Sequence, residues 1–125
     1  MMYFDMACIF IINFRGIQMK TFYGGTFISE EELNEAKRRN PIKLEYYKIG
    51  NDFDQKEEYG LEIVKTEYTK EDVLVENKII EKLTENEKII NKVLDIFKLN
   101  EVTPMVADEV LHDLCLKRMM KVINF

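Results

Sequence analysis

The chain reads as a small α+β domain: a three- to four-stranded antiparallel meander packed against two C-terminal helices, with one short peripheral helix ahead of the meander. Three observations carry that reading. Runs of alternating apolar residues recur through Ile42–Ile80 with short polar links between them. A broad apolar stripe at helical spacing follows, in Ile89, Ile90, Val93, Leu94, Ile96 and Phe97. Then Thr103-Pro104 opens a last helix, with proline where a missing N–H costs nothing.

The totals suit one domain. The chain has 125 residues, 46% apolar and 33% charged, which is enough to close a core without a metal or disulfide staple. The formal charge is −5. Such a surface favours solubility and disfavours general binding to nucleic-acid phosphates. Cys8 and Cys115 lie far apart among apolar neighbours and read as reduced thiols of a cytosolic protein.

Met6–Phe14 is nearly all apolar, but no basic residue precedes it and no small-x-small site follows, so it is not a signal peptide. It is also too short to span a bilayer, which needs about 20 residues. Met19 follows Phe14-Arg15-Gly16-Ile17-Gln18. Encoded AGG-GGN, Arg15-Gly16 would place a purine-rich ribosome-binding sequence before the Met19 codon. The expected organisation is therefore a mis-assigned leader or disordered extension over 1–18 and one domain over 19–125. The rival is an extra strand or an interfacial anchor.

Each element then has its own warrant. Lys20–Ile28 is rich in Thr, Phe and Tyr, and Gly24-Gly25 predicts a bend in that strand. Ser29–Arg39 predicts a short helix: Ser29 and Glu32 match a capping box, Ile28 and Leu33 a staple, and acidic residues precede basic ones. Only Leu33 and Ala36 give it an apolar face, so it is peripheral. Ile42–Ile49 is a strand whose apolar face changes near Tyr46-Tyr47, which implies a bulge or burial on both sides. Gly50–Glu58 is a polar loop. Tyr59–Tyr68 is a strand with the same change at Ile63-Val64, and Thr69–Asp72 a tight link without glycine. Val73–Ile80 alternates Val73, Val75 and Ile79 against Glu76 and Lys78. Thr84 and Glu87 predict the capping box of the core helix, and Asn100 its left-handed terminator. In the last helix Val106, Val110, Leu111 and Leu114 face inward, and Asp108, Glu109 and Asp113 face water.

The segment Tyr59-Gly60-Leu61-Glu62-Ile63-Val64, the helix Lys88–Leu99 and the turn Asn100 with Val102-Thr103-Pro104 together resemble a family of small clostridial (firmicute) proteins of unknown function. That family pairs a Tyr-Gly-Ile-Glu strand with a Val-Thr/Ser-Pro helix start. The resemblance covers roughly the second half of the chain. It implies the α+β fold and a firmicute cytosolic setting, and brings no activity or catalytic residues. Cys115–Phe125 departs from it, being longer and more basic.

No reactive constellation stands out. His112 is the one histidine; Asp108 and Cys115 fall on its helical face, but nucleophile and base normally converge from different elements. Metal-ligand spacing is missing, and Asp52-Phe53-Asp54 lacks the glycine and closing glutamate of a calcium loop. Gly24-Gly25 is no phosphate loop, because no Lys-Ser or Lys-Thr follows. No cofactor, metal or catalytic residue is therefore expected.

The leading expectation is a non-enzymatic cytosolic interaction or regulatory module with a protein partner. Tyr46, Tyr47, Tyr59 and Tyr68 are the candidate contact residues, wherever they stay exposed on the sheet. Two alternatives stand beside it. One is a phage or mobile-element inhibitor, using Glu30, Glu31, Glu57, Glu58 and Asp72 as an acidic surface against a nucleic-acid-binding protein. The other is a DNA-binding regulator using Lys117, Arg118 and Lys121 on the C-terminal helix.

Overall fold

In a computed structural model, the elements in chain order are β1 (Cys8–Asn13), β2 (Gly16–Ile28), β3 (Glu31–Asn34), β4 (Lys37–Arg39), β5 (Ile42–Phe53), β6 (Lys56–Tyr68), β7 (Val73–Thr84), α1 (Glu87–Leu99), a 3₁₀ turn (Pro104–Val106) and α2 (Ala107–Ile123). The structure describes the backbone of residues 8–13, 16–29, 31–34, 37–53 and 56–123, and the side chains of 18–29, 39–52 and 56–115. One antiparallel sheet runs in the order β1-β2-β5-β6-β7, and β3-β4 forms a separate ribbon. The four long strands are the expected meander. β1 lies at the sheet edge with Phe10 opposite Met19.

The expected helix over Ser29–Arg39 is not there. Its described residues form the ribbon, with Glu31 opposite Arg39 and Glu32 opposite Arg38. The acidic-then-basic order that complements a helix dipole complements an antiparallel ladder equally well. The segment also starts and ends at strand positions already paired, Ile28 with Ile42, so a hairpin continues the existing geometry. A short helix with two apolar residues has too little to bury against that.

Gly50–Glu58 is likewise strand rather than loop over its described part, with Asn51 opposite Glu58 and Asp52 opposite Glu57. The change of apolar face in β5 comes from burial on both sides, because β5 pairs with β6 without a break. The bulge lies across from it, in β2, where the register shifts between Phe22 and Gly24. Tyr23 is the extra residue, and its hydroxyl donates to the Asn91 carbonyl (3.2 Å) and to Asp95 Oδ1 (2.6 Å) on α1. The hydrogen bond to Asp95 first, and partial burial second, push the Tyr23 hydroxyl up to about 12. A second irregularity separates Tyr59 and Leu61 from their β7 partners, Thr84 and Ile80. There Lys82 takes a left-handed φ of 53°. Gly60 is required at this point: a Cβ would run into the Ile80 carbonyl oxygen and lie 2.9 Å from Glu81 Cα.

The tight β6–β7 link closes as the sequence suggests. Thr69 N–H donates to the Asp72 carbonyl (2.9 Å), Asp72 N–H to Thr69 Oγ1 (2.9 Å) and Val73 N–H to Asp72 Oδ1 (2.8 Å).

The core sits between one sheet face and the helices. Ile42, Leu44, Tyr46, Leu61 and Ile63 from the sheet meet Ile90, Val93, Leu94 and Phe97 from α1, with Val102 and Ala107 closing one end. Each large side chain here is worth about 2 kcal/mol relative to exposure. Tyr46 is fully buried, and its hydroxyl donates to the Val102 carbonyl at 2.8 Å. Val110, Leu111 and Leu114 of α2 pack against the same core, and Asp108, Glu109 and Asp113 are exposed. Val106, expected to face inward, is exposed, because the turn that holds it is 3₁₀ and not α.

Both expected caps of α1 shift. Thr84 stays paired in β7, so the helix starts later; Asn86 is the N-cap, accepting from Lys88 N–H and Ile89 N–H. Glu87, freed from a capping box, receives Lys48 Nζ at 2.8 Å. At the other end Asn100 has φ −95°, and Glu101 takes the left-handed turn with φ 51°.

Candidate protein-binding face

Cross-strand register sorts the sheet into two faces, because directly opposed residues point the same way and neighbours alternate. The face opposite the helices is built from level rows running β2-β5-β6-β7. One row is Phe27–Lys43–Thr66–Val75, the next Gly25–Glu45–Val64–Asn77, and the next Phe22–Tyr47–Glu62–Ile79. Tyr68 with Val73 extends the set at one end, and Lys20 with Ile49 and Gly60 at the other.

Among the described residues no helix covers this face. Phe27 remains 60% exposed and Val75 63%, and Phe22, Val73 and Ile79 are exposed as well. The rings organise themselves locally: Phe22 meets Tyr47 edge to face with centroids 5.6 Å apart, and Phe27 meets Tyr68 at 6.3 Å. Gly25 allows close approach in the middle, since a Cβ there would sit 2.7 Å from the Leu44 carbonyl oxygen.

A polar knot lies inside the apolar surround. Glu62 is 6% exposed. Its carboxylate receives Lys20 Nζ at 2.6 Å and Asn77 Nδ2 at 3.0 Å. Lys20 Nζ also lies 4.6 Å from the Tyr47 ring centroid. The Tyr47 hydroxyl donates to Glu45 Oε2 at 3.2 Å. Partial burial first, and the Glu45 carboxylate second, raise its proton affinity above that of ordinary tyrosine. A charge-assisted, hydrogen-bonded carboxylate can persist in such a place; an unpaired one could not.

The candidate tyrosines divide between the two faces. Tyr47 and Tyr68 lie on the open face. Tyr46 belongs to the core, which removes it from any contact surface. Tyr59 lies on the helix side, packed against the core, with its hydroxyl donating to Glu57 at 2.8 Å; that bond first, and burial second, push it up to about 12. Sequence reasoning missed Phe22, Phe27, Val64 and the Lys20–Glu62–Asn77 knot. It did find that Val73, Val75 and Ile79 share one side of their strand, but not whether the helices cover that side.

The other candidate constellations do not gather here. Asp108 turns to Lys78 Nζ at 3.0 Å, while His112 and Cys115 are exposed on α2, and Cys115 is a free thiol. Among the described residues no group of three His, Cys, Asp or Glu side chains could hold a metal ion. Asp54 and Glu30 lie outside the described residues, as does the Glu31 side chain. Glu57 and Glu58 sit at one end of β6 and Asp72 beyond the other, roughly 35 Å apart at ~3.3 Å per residue. Lys117, Arg118 and Lys121 are on α2, with side chains outside the described set. No helix among the described residues is long and apolar enough to cross a membrane.

The arrangement defines a class: a small α+β domain in which helices pack on one face of an antiparallel meander and, among the described residues, none covers the other. The chain belongs to a family of unknown function (DUF6514), whose model matches residues 26–117. That match runs from the end of β2 into α2, so it includes the ribbon and the whole β5-β6-β7-α1 core as well as the motifs of the second half. Comparison with curated proteins finds no match, and comparison with solved structures finds none either.

Proposed function

We propose that this protein is a non-enzymatic cytosolic interaction or regulatory module that docks a protein on the open face of its sheet. The observation that carries this reading is the pair of exposed apolar flanks on one sheet face, Phe22 and Phe27 on β2 and Val73, Val75 and Ile79 on β7, with half-buried Tyr47 and Val64 between them. Exposed patches of this kind mark interaction surfaces, and aromatic side chains dominate their energetics. Tyr47 and Tyr68 add amphipathic rings whose bodies are already ordered by Phe22 and Phe27, so little entropy remains to be lost on binding. The resemblance carried by Tyr59–Ile63 and Val102–Pro104 supports a clostridial setting. The acidic-inhibitor reading gains less support, since Glu57 and Glu58 are a strand's length from Asp72. The exposed acids Asp108, Glu109 and Asp113 on α2 disfavour a groove-reading helix.

The test is site-specific photo-crosslinking in the host. A benzophenone side chain at position 27 or 75 should give discrete protein adducts, whereas one at Lys92, exposed on α1, should not. Equal adduct patterns from all three positions, or no protein adduct from 27 and 75, would overturn the reading.

A further inference from the structure

We infer that the occupant of the open face is a second copy of this chain, stacked sheet on sheet about a two-fold axis that lies in the interface and runs along the strands. This rests on the docking-face reading above and goes beyond it by naming the partner.

The first support is area. The five most exposed apolar side chains of the face, Phe22, Phe27, Val73, Val75 and Ile79, each keep about half of their surface. With an aromatic side chain burying about 150–250 Å² and the aliphatic ones less, that is on the order of 400 Å². Half-buried Tyr47, Val64, Tyr68 and Lys43 bring the total towards the ~800 Å² that each partner contributes to a stable interface.

The second support is how the side chains are distributed. The β2 flank is aromatic, with Phe22 and Phe27; the β7 flank is aliphatic, with Val73, Val75 and Ile79. A two-fold axis along the strands keeps each row level and exchanges left for right. Phe27 of one copy then lies over Val75 of the other, and Phe22 over Ile79, because each pair shares a row. Large side chains meet small ones on both flanks, which keeps the gap even at the ~10 Å spacing of stacked sheets. An axis across the strands would set phenylalanine on phenylalanine and valine on valine, leaving one flank crowded and the other hollow.

The third support is charge. The chain carries −5, so two copies repel over most of their surface. In the rows from Tyr68 to Lys20 the charged residues are Lys20, Lys43, Glu45 and Glu62, with Glu81 at the irregular end of β7 beside Gly60 and Gln18, which sum to −1. Lys20 and Glu62 are already paired, and Lys43 Nζ lies 3.8 Å from Glu45 Oε1. The one unbalanced carboxylate, Glu81, lies at the end of the face and accepts from Gln18 Nε2, so self-association through the face meets far less repulsion than the chain's total charge would impose elsewhere.

The experiment is sedimentation equilibrium of the full chain and two single variants, Phe27→Glu and Val75→Lys. The unaltered chain should run at twice its monomer mass at micromolar concentration. Each variant alone should weaken self-association by about a hundredfold, a factor of ten for each of the two spoiled contacts. An equimolar mixture should recover dimer. A mixed pair sets the introduced carboxylate against the introduced ammonium on one side, and keeps the native Phe27–Val75 contact on the other. Circular dichroism and thermal unfolding establish that both variants fold, and the recovery itself requires folded chains. A monomeric unaltered chain would overturn the inference while leaving the docking face to the crosslinking test. Variants that dimerise like the parent would overturn it too, since edge-to-edge pairing through β7 tolerates both changes. Failure of the mixture to recover would overturn the proposed axis.

Discussion

Replacing Tyr46 by phenylalanine removes one oxygen from the centre of the domain. Tyr46 is fully buried, and its hydroxyl donates to the carbonyl of Val102, itself 3% exposed. The variant keeps the ring packing and leaves that carbonyl without its donor. Stranding a buried acceptor costs about 1–3 kcal/mol, more than the bond's net contribution. A loss of about 2 kcal/mol corresponds to a fall in Tm of roughly 8 °C for a domain of this size. The control is Tyr59→Phe, whose lost partner Glu57 is exposed; it should cost less than about 0.5 kcal/mol. Urea unfolding at a series of pH values adds an independent check. Burial first, and the Glu101 charge second, hold the folded Tyr46 hydroxyl above the ordinary tyrosine value of 10.0. The folded state therefore holds this proton more tightly than the unfolded chain. The stability tied to it is complete below pH 10.0 and is lost as pH rises towards the folded value. The gap between parent and Tyr46→Phe should be constant up to that point and shrink above it. A gap that persists unchanged in strong alkali, or a Tyr46→Phe variant as stable as Tyr59→Phe, would refute the reasoning.

Two further stability predictions follow from the backbone. Gly60→Ala should cost about 3 kcal/mol or more, since the added methyl meets the Ile80 carbonyl oxygen and Glu81 Cα and neither is a yielding side-chain tip; a thermal melt within about 2 °C of the parent, well under ~1 kcal/mol, would contradict this. Asn86→Ala should cost about 1 kcal/mol by removing the acceptor for Lys88 and Ile89 N–H. Thr84→Ala should cost less than half as much, because Thr84 Oγ1 accepts only the Asn86 N–H in this turn; the reverse order in urea midpoints would restore Thr84 as the cap.

What the sequence discloses depends on how local the deciding interaction is. The strands β5, β6 and β7 and the helix α1 were legible because periodicity is written into neighbouring residues. The ribbon Glu31–Arg39 was not, because its competitor, a capped helix, satisfies the same local charges, and the outcome turns on the pairing of Ile28 with Ile42. The caps of α1 moved for a similar reason: Thr84 is held by Tyr59 across the sheet, an interaction with no trace in the local pattern. The open face was the least legible feature. Alternation shows that Val73, Val75 and Ile79 share a side, but not which side the helices cover. Phe22 and Phe27 are five residues apart, so strict alternation puts them on opposite faces. Only the extra residue between Phe22 and Gly24 brings them to the same one.

That same extra residue also fastens the helix to the sheet. The helix α1 lies wholly inside the matched region, yet one of its fastenings, Tyr23 on Asn91 and Asp95, comes from a stretch of chain preceding it. The helix is thus moored in part by a residue that precedes the matched region. With its proton held to about pH 12, the mooring stays fast through neutral and mildly alkaline conditions. Without that hydroxyl the middle of the helix would ride on the sheet chiefly by its apolar side chains.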